Sequence, residues 1–182
     1  MANAALTERR IQRAIFHARH SQCRIALPNF TPRGWHECDV WLVTKAGYAH
    51  EYEIKLTAAD FRADRQKLES AWRWKQGEWW KRQTRTKHER LAAGDTAGPV
   101  QFWYVAPEGV LTPDMMPPWA GLIEVHPFGR SGTLLPRTRG PRLHKERVPD
   151  AVLQQATTAC YWRFWHERNL LDDLREAETA RD

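Results

Sequence analysis

The chain has 182 residues, 42% of them hydrophobic, which is enough to bury one core and too apolar for wholesale disorder. No apolar run nears the ~20 residues of a membrane-spanning helix and none resembles a secretory signal, while Cys23, Cys38 and Cys160 are too few for a disulfide framework; a cytoplasmic, reduced, single-domain protein (1–182) without a membrane partner is expected. Lys and Arg number 28 against 22 Asp and Glu, a net charge of +6 that favours a polyanionic partner.

From Leu6, apolar residues recur at Ile11, Ala14, Ile15 and Ala18, close to the helical period, and Thr7 suits the N-cap. Pro28, Pro32 and Gly34 break the chain into extended or turn segments. Two runs of strand character, HECDVWLVT and AHEYEIKL, flank the turn-like Lys45-Ala46-Gly47 and predict a hairpin. A long helix is predicted over roughly 58–93, ending before Gly94, with Gly77 as a point of division. VQFWYVAPEGV reads as a third strand and GLIEVHP as a short fourth, separated by a loop through Pro113, Pro117 and Pro118. Residues 129–149, rich in Pro, Gly and Arg, predict an irregular basic arm. A final helix over about 150–175 presents Val152, Ala156, Ala159, Cys160 and Phe164 at helical spacing, with a charged tail that frays after Asp172. The order predicts an α/β fold, a mixed central sheet of four or five strands flanked by helices, with its core over about 6–127.

The positive charge is concentrated. Between Arg62 and Arg90 ten basic residues face four acids, a local excess of +6. Such a segment suits phosphate contacts and counterion release, although a solvated helix face would look the same. Four tryptophans (Trp72, Trp74, Trp79, Trp80) are interleaved with it. Trp72, Trp79 and Trp80 share one helical stripe and read as core; Trp74 lies off it and is the candidate for base stacking.

Chemistry is expected at the hairpin. Side chains alternate across a strand, so Glu37, Asp39 and Trp41 share one face and Cys38, Val40 and Leu42 the other. On the second strand Glu51, Glu53 and Lys55 oppose Tyr52, Ile54 and Leu56. If the apolar sets face the core, Asp39, Glu53 and Lys55 converge on the far side. Mg²⁺ is commonly held by one or two carboxylates with waters and phosphate, and a Lys nearby can orient the attacking water. A half-buried hairpin with a polar outer face would alternate in the same way. Glu37 and Glu51 could each replace a named partner, and Glu8 lies near the inward stripe of the first helix.

The arrangement helix-Glu, then Asp, then Glu-x-Lys resembles the PD-(D/E)XK nuclease superfamily. EYEIKLTAADFRADRQK is similar to the MmcB-like DNA-repair proteins and related phage nucleases, as are FWYVAPEGV, PPWAGLIEV and LHKER. The resemblance implies a restriction-endonuclease-like fold and a metal-dependent DNA nuclease using Mg²⁺ or Mn²⁺. It implies Asp39 and Glu53 as metal ligands with the Ile54 carbonyl, Lys55 as the catalytic lysine and Glu8 as an accessory acid. Cys38 stands where the superfamily has a Pro before its Asp. Duplex, branched or single-stranded DNA would be gripped by Arg62, Arg65, Lys67, Trp74, Lys75, Lys81, Arg82, Lys87, Lys145 and Arg147. A DNA-binding module without catalysis and an RNA-directed nuclease are the alternatives, and a homodimer is left open. His17, His20 and Cys23 lack a second ligand pair for zinc, and His88 and His144, each beside a Lys, suit phosphate better than metal.

Overall fold

A computed structural model describes residues 6–64, 70–75, 78–83, 85–127 and 132–179. Helix α1 (Glu8–Arg19) begins where the Thr7 hydroxyl accepts from Arg10 N–H, and it buries Ile11, Ala14 and Ile15, three of the predicted stripe. Strands β1 (Cys23–Phe30), β2 (Cys38–Thr44) and β3 (Ala49–Ile54) follow in antiparallel succession.

The predicted helix over 58–93 does not form. In its place stand a short helix α2 (Ala58–Asp64), two strands β4 (Ser70–Lys75) and β5 (Glu78–Gln83) paired with each other in a second sheet, and a short helix α3 (Lys87–Ala92). The tryptophan-rich runs favour strands, and only Gln76 and Gly77 separate them, a hairpin spacing. Strands β6 (Gln101–Pro107) and β7 (Ala120–His126) then run parallel to β3, and β8 (Thr133–Thr138) returns antiparallel beside β7.

The central sheet has six strands, not four or five, in the order β1-β2-β3-β6-β7-β8. The two extra strands are its edges, and each contains a proline, Pro28 and Pro136. Proline lacks the N–H that a central strand must donate but is tolerated at an edge, so these segments read as loop in sequence. The predicted basic arm is therefore β8 followed by an irregular run. That run is pinned by Leu143 N–H to Val100 O and Val148 N–H to Gly47 O.

Both faces of the sheet are covered. On one, α1 packs Ile11 and Ile15 against Val40, Leu42, Tyr52, Ile54, Trp103 and Val105. On the other, Phe61 of α2, Leu91 of α3, and Val152 and Ala156 of the last helix, α4 (Asp150–Thr179), pack against Trp41, Val43, Phe102, Tyr104 and Leu122. The result is a mixed sheet between helical layers. Cys38 departs from the predicted alternation and packs with Trp41 and Val43 rather than with Val40. α4 stays helical to Thr179, past the predicted fraying point, and Phe164 is exposed rather than core.

Candidate active site

The antiparallel register pairs Val40 with Tyr52 and Trp41 with Glu51, which sets Asp39 across from Glu53 one step further along. Backbone pairing stops there and a side chain takes over: Asp39 Oδ2 accepts from Ile54 N–H at 2.6 Å. Lys55 N–H continues the parallel ladder by donating to Val105 O at 2.9 Å. The two strand ends thus hold Asp39, Glu53 and Lys55 in one neighbourhood.

Two ammonium groups hold the Glu53 carboxylate. Lys55 Nζ lies 2.9 Å from Oε1 and Lys87 Nζ 2.7 Å from Oε2. Lys55 Nζ is also 3.2 Å from Asp64 Oδ1, at the end of α2. Asp64 Oδ2 in turn is 3.1 Å from His88 Nε2, which is 3.2 Å from the Tyr104 hydroxyl. On the other side, Lys87 Nζ is 2.5 Å from Glu51 Oε1 and donates to the Glu37 carbonyl at 3.0 Å. Glu51 Oε2 accepts from Trp35 Nε1 at 2.8 Å. A continuous polar chain therefore crosses the sheet face beneath α2 and α3.

The chain is buried. Glu51 is fully buried and Lys55 only 3% exposed. Charges so enclosed persist only when paired. Burial works to raise the Glu53 carboxyl, but Lys87 and Lys55 outweigh it and hold it below the ordinary range. Burial likewise opposes charge on both lysines, yet Glu51 and Glu53 hold Lys87 well above its usual value, and Glu53 and Asp64 hold Lys55 up. Burial opposes charge on Asp64 too, and its contacts with His88 and Lys55 overcome it and hold the carboxyl low. Asp39 behaves oppositely. Burial, then the Glu53 charge, push its carboxyl up to about 7, with Glu8 adding to the effect and Ile54 N–H and Lys55 opposing it.

That contrast bears on a cation. Negative charge at Asp39 is under-compensated, whereas Glu53 is already matched by two lysines. Two carboxylates and a backbone carbonyl are a donor set that Mg²⁺ accepts, since waters and phosphate usually complete its shell. Asp39 and Glu53 fit a hard divalent ion in charge and donor type. Among the described residues no group of three His, Cys, Asp or Glu side chains stands ready to hold one unaided.

Glu8 is exposed in the first turn of α1 rather than at the border of its buried face. It still reaches the site through Gln12, whose Nε2 lies 2.9 Å from Glu8 Oε1 and 3.1 Å from the Asp39 carbonyl. Arg62 is exposed on α2, next to the site. Lys87, predicted as a phosphate contact, is instead committed to Glu51 and Glu53. Lys145 and Arg147 lie on the run pinned at Gly47, the far end of β3, with about 13 Å of strand between Ala49 and Glu53. Arg65 and Lys67 lie outside the described residues, as do the side chains of Trp74, Lys75, Lys81 and Arg82.

Several contributors escape sequence reasoning. Lys87, Asp64, His88 and Tyr104 reach the site only through tertiary packing; the one local hint is that Lys87 follows the N-cap Thr86 and so points from the start of a helix. Gln12, one turn beyond Glu8, could have been found from i,i+4 spacing. Beside the site, a groove of about 550 Å³ is lined by Arg9, Gln12, Arg13, Phe16, Pro28 and Val40, among others. Its two arginines belong to α1, outside the basic segment that dominates the sequence.

No known protein family matches the sequence, and no curated protein does. Among solved structures, the SPO1766 protein of unknown function from Silicibacter pomeroyi aligns over 91% of this chain and 93% of its own, with a TM-score of 0.61 and 14% identity. At that identity the likeness shows a shared fold alone.

Proposed function

We propose that this protein is a metal-dependent DNA nuclease of the PD-(D/E)XK type that hydrolyses phosphodiester bonds, acting as an endonuclease in repair or phage DNA processing. The observation that supports this reading best is the meeting of Asp39, Glu53 and Lys55 at the ends of β2 and β3, with Lys55 Nζ on Glu53 Oε1 and Asp39 across the strand pair. Asp39, Glu53 and the Ile54 carbonyl would hold Mg²⁺ or Mn²⁺, which when bound supplies a Lewis acid and a water of lowered pKa. Lys55 orients the attacking water and offsets charge developing on the phosphoryl oxygens. Asp64 and His88 fix the Lys55 side chain from behind, and Lys87 balances Glu51 so that Glu53 stays ionised. Arg9, Arg13 and Arg62 carry backbone phosphates past the site without reading sequence.

The test is cleavage of supercoiled plasmid, branched DNA and structured RNA in Mg²⁺ or Mn²⁺, beside Lys55→Ala. The expected result is DNA nicking that falls on the order of 10²–10³-fold in the variant while DNA binding persists. Faster turnover of the RNA would redirect the substrate class. A second reading, a DNA-binding module with no catalysis, draws on the fact that both Glu53 oxygens already carry lysine partners. DNA binding by the wild type with no cutting under either ion selects it.

A further inference from the structure

A second polar feature lies on the α1 face at the opposite end of the sheet. A cavity of about 130 Å³ is lined by Arg19, Gln22, Leu42, Thr44, His50, Tyr52, Gln101 and Trp103. Strand register builds it: His50 is level with Gln101, and Tyr52 with Trp103, while Arg19 reaches in from the last residue of α1. Gly121, level with Trp103, makes room for the indole, because a Cβ there would lie 2.4 Å from the ring.

Two buried nitrogens of these residues, Arg19 Nε and Trp103 Nε1, have no hydrogen-bond partner among the described residues. Trp103 is itself more than nine-tenths buried. Guanidinium and indole groups only donate, so neither can satisfy the other, and each lacks an acceptor among the described residues. Buried polar groups left unpaired are rare in native proteins and call for an explanation. The lining also holds a cation and, among the described residues, no carboxylate. Arg19 hydrogen-bonds the Tyr52 hydroxyl, which leaves its charge unbalanced. His50 cannot balance it. Burial, then the Arg19 charge, bring that imidazole down to about 4, so it stays neutral and adds one donor and one acceptor.

From these residues we infer an oxyanion site, built to take a phosphoryl group between Arg19, Trp103 and His50. The volume falls below the roughly 300 Å³ at which pockets for drug-sized ligands begin, which excludes a whole nucleotide but admits a single tetrahedral group. Arg19 supplies charge and a donor, and Trp103 a second donor at a fixed angle. Gln22, Thr44 and the free edge of His50 serve the remaining oxygens. The group could come as inorganic phosphate or as the terminal phosphate of a nucleic acid strand, and the chemistry of recognition is the same. The inference does not rest on the nuclease assignment.

The test is calorimetric titration of the full chain in EDTA at constant ionic strength, with three ligands: inorganic phosphate, a 5′-phosphorylated oligonucleotide and its 5′-hydroxyl counterpart. Wild type should bind phosphate saturably at one site. Arg19→Met should abolish that binding, and Trp103→Phe, which keeps an aromatic ring over Gly121, should weaken it about tenfold. Melting curves establish that both variants are folded. Arg19→Met removes an unbalanced cation but also the Tyr52 hydroxyl's partner, so without phosphate it should melt within a few degrees of wild type; added phosphate should stabilise wild type, stabilise Trp103→Phe less, and leave Arg19→Met unchanged. An Arg19-dependent preference for the phosphorylated oligonucleotide identifies a strand end as the ligand; phosphate binding without that preference identifies a free anion. Absence of saturable binding up to tens of millimolar, or equal binding in all three proteins, overturns the site and leaves a water-filled cavity.

Discussion

At the scale of single residues, the sharpest consequence concerns Lys87. Its ammonium is the ion-pair partner of the fully buried Glu51, and Glu51 otherwise has the Trp35 indole N–H. Removing one member of a buried pair leaves an uncompensated charge, a loss of about 3–5 kcal/mol, whereas removing both is far milder. Lys87→Met should therefore lose that much in urea unfolding, and adding Glu51→Leu should restore part of it, the remainder being the lysine that Glu53 also loses. Equal losses in the single and double variants would mean the pair does not carry the effect. A second residue-level consequence is pH-dependent. His50 is held at about 4, by burial first and then by Arg19, against an ordinary value near 6.5. The unfolded chain therefore binds a proton on acidification before the folded one does. Stability from this group is full above about 6.5 and drains away as pH falls toward 4. Asp39, raised to about 7, titrates with the opposite sign over the same window, so the clean readout is a difference. Relative to wild type, His50→Gln should gain on the order of 2 kcal/mol between pH 7.5 and pH 5 in urea midpoints. A constant gap across that range would show that His50 titrates normally in the folded state.

At the scale of elements, α3 is six residues long, too short to stand by its own propensity. It is held by a capping box: Thr86 Oγ1 accepts from Glu89 N–H, and Glu89 Oε2 accepts from Thr86 N–H. Because α3 carries Lys87 and His88 into the polar chain, Thr86→Ala should cost about 1 kcal/mol in thermal unfolding and also loosen Lys55 through Asp64. Under the proposed function the variant should lose cleavage rate at saturating DNA while its DNA affinity holds. A changed affinity with an unchanged rate would place α3 outside catalysis. The elements also show what the sequence makes legible. The β2–β3 hairpin was readable because period-two alternation is local, and with it the grouping of Asp39, Glu53 and Lys55. β1 and β8 were not, because Pro28 and Pro136 read as breakers until an edge position excuses them. The β4–β5 pair was hidden by tryptophans whose spacing also fits a helix. Asp64 and His88 carry no local signature, since contacts with Lys55 and Tyr104 give them their roles, and Lys87, which gains its role against Glu51 and Glu53, offers only the hint of its place after an N-cap.

At the scale of the whole molecule, α4 is half anchor and half extension. Its first half packs Val152 and Ala156 into the core, and its Gln155 side chain clamps the turn after β1 by accepting from Arg33 N–H and donating to Thr31 O. Arg163 then donates to the carbonyls of Pro28 and Asn29 on the edge strand. Beyond it the helix continues to Thr179, roughly 24 Å, with Leu170, Leu171 and Leu174 each about half exposed or more. Stabilisation scales with apolar area withdrawn from water, and these leucines withdraw little. The ion pairs there, Arg168 and Arg175 with Asp172, are surface pairs within one helix, which contribute a few tenths of a kcal/mol each. Truncation after Arg168 should therefore shift the melting temperature of an isolated chain by no more than a few degrees. Arg163→Ala, which leaves two edge-strand carbonyls without their donor, should cost more than the entire truncation. If truncation instead lowers the melting temperature by more than about 10 °C, the leucines are covered in solution, and the anchoring role assigned to the first half of α4 is incomplete.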